Sequence, residues 1–342
     1  AAPALQFFTI GTGGTGATYY PIGGMIANAI SKPPGSRECD QGGSCGVEGF
    51  IASAVSSRGS VDNVNGINSG LRTSGFAQSD VAFWAYSGTG IMEGQPPMDD
   101  LRAIAALFPE HVHLIVPADS KVNSVTDLKG LRVNIDEPGS GVYVDSNLVL
   151  EAYGMSTKDI KAEYLKTSPA MDALRNGKID AAFVVTGYPS GSIVEVASAM
   201  KIRLVPIVGS GADKLLSEYG FFSVSEIPSN TYENVPGVTT IAVGAQWITG
   251  AKESTELIYN ITKALWNKKT RKLLDEGHKK AKSITLETAL DGSGIPLHPG
   301  AEKYSNEIGM NKYGLSEKSD ATTLRRSLVQ GVFLFWHFQL DA

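Results

Sequence analysis

Between Leu131 and Gly220 the sequence alternates short apolar runs with amphipathic ones, and this rhythm constrains the fold more than any other feature. LRVNID, IKAEYL, IDAAFVV and IRLVPIV read as strands, and GVYVDSNLVLEAYG, PAMDALRNG, SGSIVEVASAM and ADKLLSEYG read as helices. Gly154 supplies a stop for the first of those helices. Strands alternating with helices of this length build βαβ units with a parallel, helix-covered sheet.

The chain on either side keeps a looser version of the pattern. LQFFTI (Leu5–Ile10) reads as a buried strand ending in GTGGTG, and Ile22, Met25, Ile26, Ala29 and Ile30 form a helical stripe after it. FIASAVSS is a second strand, followed by a helix with Ser60 as N-cap and Asp62 in its first turn. A third strand lies near Ser74–Ala77, and LRAIAALF and HVHLIVP read as two more. After Pro236 come the strand GVTTIAVGAQWIT and long helical segments such as STELIYNITKALW. The runs His111–Pro117 and Val238–Gln246 bracket the regular block and read as two crossovers between lobes. One lobe is then discontinuous, 1–113 plus 243–342, with 114–242 inserted, and the crossovers form a hinge. A length of 342 residues accommodates two such lobes.

Charge and cysteines narrow the function classes. A net charge of −5 without a basic stripe argues against nucleic acid and against an anionic membrane surface. Local donors can still hold an anion at a closed site. Cys39 and Cys45 sit in CDQGGSC, a spacing that matches neither a CxxC redox motif nor a zinc knuckle. A local disulfide, a reduced pair and a metal site stay open, in that order of preference. No stretch reaches the apolar length of a bilayer span, including the apolar tail SLVQGVFLFWHFQLDA within 315–342. The Ala1-Ala2-Pro3-Ala4 start reads as the end left after signal-peptide removal, so a periplasmic protein without direct membrane insertion is expected.

Ligands of open α/β sheets bind at the carboxyl ends of strands, where helix N-termini converge. Five Gly-, Ser- and Thr-rich turns fall there: Gly11–Thr18, Arg58–Asn63, Ala77–Asp80, Pro138–Tyr143 and Thr186–Ser190. Together they can hold an anion without a lysine. Rival motifs are weaker. Gly11-x-Gly13-x-x-Gly16 spells the dinucleotide fingerprint of an NAD(P)-dependent oxidoreductase, but no acidic residue closes the next strand and Arg58 follows it instead. Gly42-x-Ser44-x-Gly46 has the spacing of a nucleophile elbow without a strand leading into it. His111 and His113 share one face of a strand and read as hydrogen-bonded hinge residues rather than metal ligands.

Taken in order, these turns resemble the TAXI-type solute receptors of the tripartite ATP-independent periplasmic (TRAP) transporters. The resemblance runs from Phe8 to Gly309 through IGTGGTGATYYPIGGMIAN, GSVDNVNGI, QSDVAFWAYSGTG, DLRAIAALFPEHVHLIV, DLKGLRVNIDEPGSG, GKIDAAFVVTGYPSGSI, IPSNTY and IPLHPGAEKYSNEIG. It implies an α/β, two-lobed periplasmic-binding-protein-like fold of type II, each lobe a helix-flanked, mostly parallel sheet, joined by a two-strand hinge. It also implies a monomeric receptor rather than an enzyme, with no cofactor. The ligand would be a small carboxylate such as glutamate, glutamine or 2-oxoglutarate, and the partners would be TRAP integral-membrane subunits. A sensor subunit for membrane signalling is the alternative within the same fold.

Carried over by position, the family pocket falls on Thr15, Gly16 and Tyr19; on Ser60, Val61 and Asn63; on Gln78 and Ser79; and on Ser140, Gly141, Val142 and Pro189. Three features depart from the family pattern. Arg58 stands where a small residue is usual, and pointing inward it would pair with a carboxylate bidentately. The Cys39–Cys45 turn looks like an insertion, and the tail beyond Gly314 is unusual.

Overall fold

The structure is a computed structural model that describes residues 5–310. The Ala1–Ala4 start and the apolar tail at 315–342 therefore lie outside the described residues. Strand β1 (Gln6–Gly11) leads into α1 (Tyr19–Ile30), then come β2 (Ser31–Lys32), β3 (Val47–Glu48), β4 (Phe50–Val55), α2 (Ser60–Asn68), β5 (Ser74–Gln78) and α3 (Ser79–Ser87). The long β6 (Leu101–Pro117) carries the chain to β7 (Arg132–Asn134), α4 (Gly141–Ala152), β8 (Lys161–Glu163) and α5 (Thr167–Arg175). The same half continues with β9 (Ala181–Thr186), α6 (Gly191–Ala199), β10 (Ile202–Leu204), α7 (Ser210–Glu218) and β11 (Phe222–Ile227). β12 (Val238–Gly250) returns the chain to α8 (Thr255–Leu265), α9 (Lys268–Gly277) and α10 (Pro299–Glu307).

Hydrogen bonding connects the strands in the order β3-β2-β4-β1-β5-β12-β6-β9-β7-β8, with β10 on β6 and β11 on β12. β1 lies parallel between β4 and β5, and β7 lies parallel between β8 and β9. These two parallel trios are the centres of two lobes, each covered by the helices of its own βαβ units. β6 and β12 join them. They pair antiparallel from Leu101–Gly250 to His111–Ala242. Beyond that point β6 turns to β9 and β10, and β12 to β11. The fold class expected from the strand–helix rhythm is the one observed.

Each lobe has its own apolar centre. Phe8, Ile10, Ile22, Ile26 and Trp247 are buried together in the first, and Ile115, Met171, Leu174, Ile193 and Tyr232 in the second. Each such side chain removed from water contributes about 1.5–3 kcal/mol. Trp247 meets Phe8 and Phe76 edge-on and donates its indole N–H to Ser74 Oγ at 3.0 Å. A third cluster runs from Val64 and Val81 through Val112 to Val133 and Phe183, so one continuous core spans the join. On its rim Trp84 packs edge-on against Tyr219 and Phe221.

Two local expectations change. LRAIAALF and HVHLIVP are one strand, not two. Pro109 pairs with Gly244 inside it. Proline's fixed φ lies within the extended range, so it removes a donor without ending the strand. FSVSEI, given no assignment from sequence, forms β11 along the free edge of β12.

The cysteines are joined, Cys39 to Cys45. Ser44, the centre of the GxSxG spacing, donates its hydroxyl to the Ser31 carbonyl inside that loop. His111 Nε2 bonds Ser225 Oγ at 2.8 Å and His113 Nε2 bonds Tyr232 Oη at 2.9 Å, as expected of hinge-strand histidines.

Candidate functional site

The carboxyl ends of both parallel trios face one cleft. β1, β4 and β5 deliver the chain to the N-termini of α1, α2 and α3 from one side; β7 and β9 deliver it to α4 and α6 from the other. Helix N-termini expose unpaired N–H groups and carry partial positive charge.

The two sides touch directly. The Gly16 carbonyl accepts from Ser192 N at 3.1 Å and from Ser190 Oγ at 2.9 Å. Thr18 Oγ1 and Thr186 Oγ1 lie 3.0 Å apart, and Gly187 N donates to Thr18 Oγ1. Across the other end of the cleft, Asp62 N donates to the Gly139 carbonyl at 2.9 Å. Gly59 has φ +117°, a conformation that requires glycine, and a Cβ there would stand in ordinary van der Waals contact with the Ser140 backbone at 3.4 Å.

Between these seams lies a cavity of about 50 Å³, room for a few waters. The first lobe contributes Tyr19, Arg58, Ser60 and Gln78 to the wall. The second contributes Ser140, Gly141 and Val142 at the start of α4, with Asp136, Lys166 and Thr167 beside them. Glu110, on β6, lies between the two sets.

Six of the residues carried over from the resemblance are therefore together, Tyr19, Ser60, Gln78, Ser140, Gly141 and Val142, and Arg58, the departure from the family pattern, joins them. Ser60 Oγ accepts from Gln78 N at 3.1 Å, which joins two turns of one lobe. Ser140 Oγ caps α4 by accepting from Tyr143 N at 2.9 Å. Gln78 is buried, and its Oε1 has no hydrogen-bond partner among the described residues. Arg58 reaches the cavity with its side chain 57% exposed and pairs loosely with Asp62 at 3.5 Å.

The others lie elsewhere. Thr15 is exposed at the tip of the first turn. Gly16 forms the seam with Ser190 and Ser192. Val61 packs against the shared core. Asn63 is buried, and its Nδ2 donates to the carbonyls of Thr12 and Phe76, tying the ends of β1 and β5 together. Ser79 is buried at the start of α3, and Pro189 follows a cis peptide bond in the turn before α6. Neither lines the cavity.

Sequence reasoning passed over Glu110, Asp136 and Lys166. Tyr19 Oη donates to Glu110 Oε2 at 2.7 Å. Burial pushes the Glu110 carboxyl up to about 8, helped by the Asp80 charge. Burial likewise raises Asp136 to about 6. Lys280 is buried over the Tyr188 ring, 4.2 Å from its centre, and burial lowers its ammonium to about 8. The signal for Glu110 was present: an acid inside LFPEHVHLIV, where an unpaired charge cannot sit.

A model of the NMT1-like family matches residues 10–309. The chain belongs to the NMT1-like family. Solved structures of similar proteins include one from Bordetella bronchiseptica RB50, 16% identical, covering 94% of this chain and 88% of that one with a TM-score of 0.52. A putative periplasmic sulfonate-binding protein of an ABC transporter from Methylobacillus flagellatus KT is 12% identical over 92% and 98% of the two chains, TM-score 0.47. The periplasmic aliphatic sulphonate binding protein of Escherichia coli is 14% identical over 96% and 86%, TM-score 0.43. The Bordetella structure and this NMT1-like chain share a fold. Among the described residues, no helix is long and apolar enough to cross a membrane.

Proposed function

We propose that this chain is an extracytoplasmic solute receptor. It captures a small carboxylate between its lobes, a dicarboxylate such as glutamate or 2-oxoglutarate, and delivers it to integral-membrane transport subunits. The observation that carries this reading is the cavity wall. The N-terminus of α4 lines it together with two cationic side chains, Arg58 from one lobe and Lys166 from the other. Such a set recognises two anionic ends at once. Glu110 does not oppose it: below pH 8 its carboxyl is mainly neutral, accepts from Tyr19 at one oxygen and offers its own proton from the group.

The lobes proposed are 1–113 with 243–342, and 114–242. The change of partners by β6 and β12 near His111 and Ala242 supports that division. Residues of the seams close around the ligand, and β6 and β12 bend to let it in. Resemblance favours a TRAP transporter as the recipient. The sulfonate receptors named among similar structures serve a different transporter class, so a sulfonate belongs in the test.

The experiment is a thermal-shift panel of C4–C6 dicarboxylates, 2-oxoglutarate, glutamate, monocarboxylates, an alkanesulfonate and NADP. A ligand at about a hundredfold over its Kd adds about 2.7 kcal/mol. A shift confined to carboxylates supports the reading. A shift with the sulfonate alone replaces the ligand class, and one with NADP alone removes the receptor.

A further inference from the structure

Helices α3 and α4 belong to different lobes, and their first turns meet across the cleft. Gly141 lies so close to Gln78 that a Cβ there would overlap the amide. Asp145 stands one turn further along α4 on the same face. Asp80 stands two residues beyond Gln78 on α3. Both acids are fully buried. Asp80 Oδ1 accepts from Val81 N at 2.8 Å. Asp80 Oδ2 and both Asp145 oxygens receive no protein donor among the described residues, and neither acid has a cation within ion-pair distance there. The two carboxyls are within hydrogen-bonding reach of each other.

Two carboxylates are acceptors only, so this contact cannot form between ionised groups. Desolvation and mutual repulsion both oppose it. One proton converts it into a charge-assisted O–H···O bond. We propose that Asp80 and Asp145 form an interlobe proton site: closing the cleft binds one proton between the two carboxyls, and opening releases it. The inference rests on the closing-cleft reading of the site and is independent of the ligand's identity.

The surroundings agree. Burial is the first cause raising both acids, and for Asp145 the Asp80 charge comes next. The other titratable groups facing the pair are Tyr19 from α1 and Glu110 from β6. Lys280, from the turn after α9, acts on Glu110. In the open form both aspartates meet water and titrate near the ordinary value of about 4. Between the raised value of Asp80 and the higher one of Asp145 the closed form then holds one more proton than the open form. Across that window the closed-to-open ratio falls about tenfold per pH unit as pH rises.

Small-angle X-ray scattering of the ligand-free protein from pH 5 to 9, at fixed ionic strength, tests this. The wild-type radius of gyration is expected to grow with pH. In Asp145→Asn the amide donates to Asp80 without a titrating proton, so the protein stays compact to higher pH. Asp80→Asn does the same from the other side and serves if the first variant fails to fold. Glu110→Gln removes the neighbouring titration and keeps the growth. Identical pH profiles in wild type and both aspartate variants would overturn the site, as would a radius that is flat in all of them. A radius that follows NaCl against choline chloride at fixed pH would replace the proton with a metal cation. A flat profile alongside a carboxylate thermal shift would remove the proton site and leave the receptor standing.

Discussion

The Gly16 carbonyl accepts the backbone N–H of Ser192 at 3.1 Å, joining the first turn of one lobe to the start of α6 in the other. A Cβ at Gly16 would be driven into the hydroxyls of Ser192 and Ser168. Gly16→Ala therefore holds the seam apart. The expected result is a larger radius of gyration and affinity for 2-oxoglutarate at least tenfold weaker, with circular dichroism unchanged. Isothermal titration beside scattering checks both.

Gln78 and Arg58 line the cavity and are proposed to meet the ligand itself. Gln78→Ala removes one buried polar group at the cavity and is expected to weaken binding by about 0.5–3 kcal/mol. Arg58→Ala is expected to weaken a dicarboxylate more than a monocarboxylate of equal length, because one cation of two is lost. Titrations of both ligands against both variants test the division of labour, and equal losses for the two ligands would contradict it.

How much of this was legible beforehand depends on what each residue touches. The lobes could be read because strand and helix periods differ and because glycine punctuates them. Ser140, Gly141 and Gln78 could be placed because turns after parallel strands gather at one edge. Thr15 could not be told from Gly16: both sit in one glycine-rich turn, and only the path of the backbone decides that one is exposed and the other fills a seam. Asn63 has the chemistry of a ligand contact, and its Nδ2 is taken by Thr12 and Phe76 while its buried Oδ1 has no partner among the described residues. Asp145 reads as an ordinary helix residue, since its partner lies on another lobe 65 positions away, by subtraction of the two residue numbers.

Stability should fall on both sides of neutrality. Glu110 is raised to about 8 in the folded protein, against about 4.3 unfolded. Its contribution is full below pH 4.3 and is lost as pH rises through 8, at up to about 1.4 kcal/mol per pH unit. Burial lowers His111 to about 3 and His113 to about 4. Their contribution is full above about 6.5 and is lost as pH falls through those values. Denaturant melts from pH 4 to 9 are expected to show Glu110→Gln flattening the fall between about pH 6.5 and 8 and steepening the histidine-driven loss between about pH 6.5 and 4.3, where the wild-type Glu110 slope opposes it.

The Cys39–Cys45 bond closes a short loop, with a sequence separation of 6. Chain entropy for a loop of that size is worth roughly 2 kcal/mol. The Cys39→Ser, Cys45→Ser double variant should melt several degrees lower in calorimetry and bind as wild type does, since the loop lies away from the cavity. A binding loss matching the stability loss would tie the loop to the cleft.

β6 and β12 stay hydrogen-bonded to each other as they approach the crossing between lobes, at His111 and Ala242. A door hung on two separate cords can twist, slide and swing. One hung on a stitched ribbon can only flex along the ribbon's soft direction. On the proposed hinge each opening stroke would retrace the closing one, and Gly16, Thr18 and Asp62 would come back to the same partners without a search.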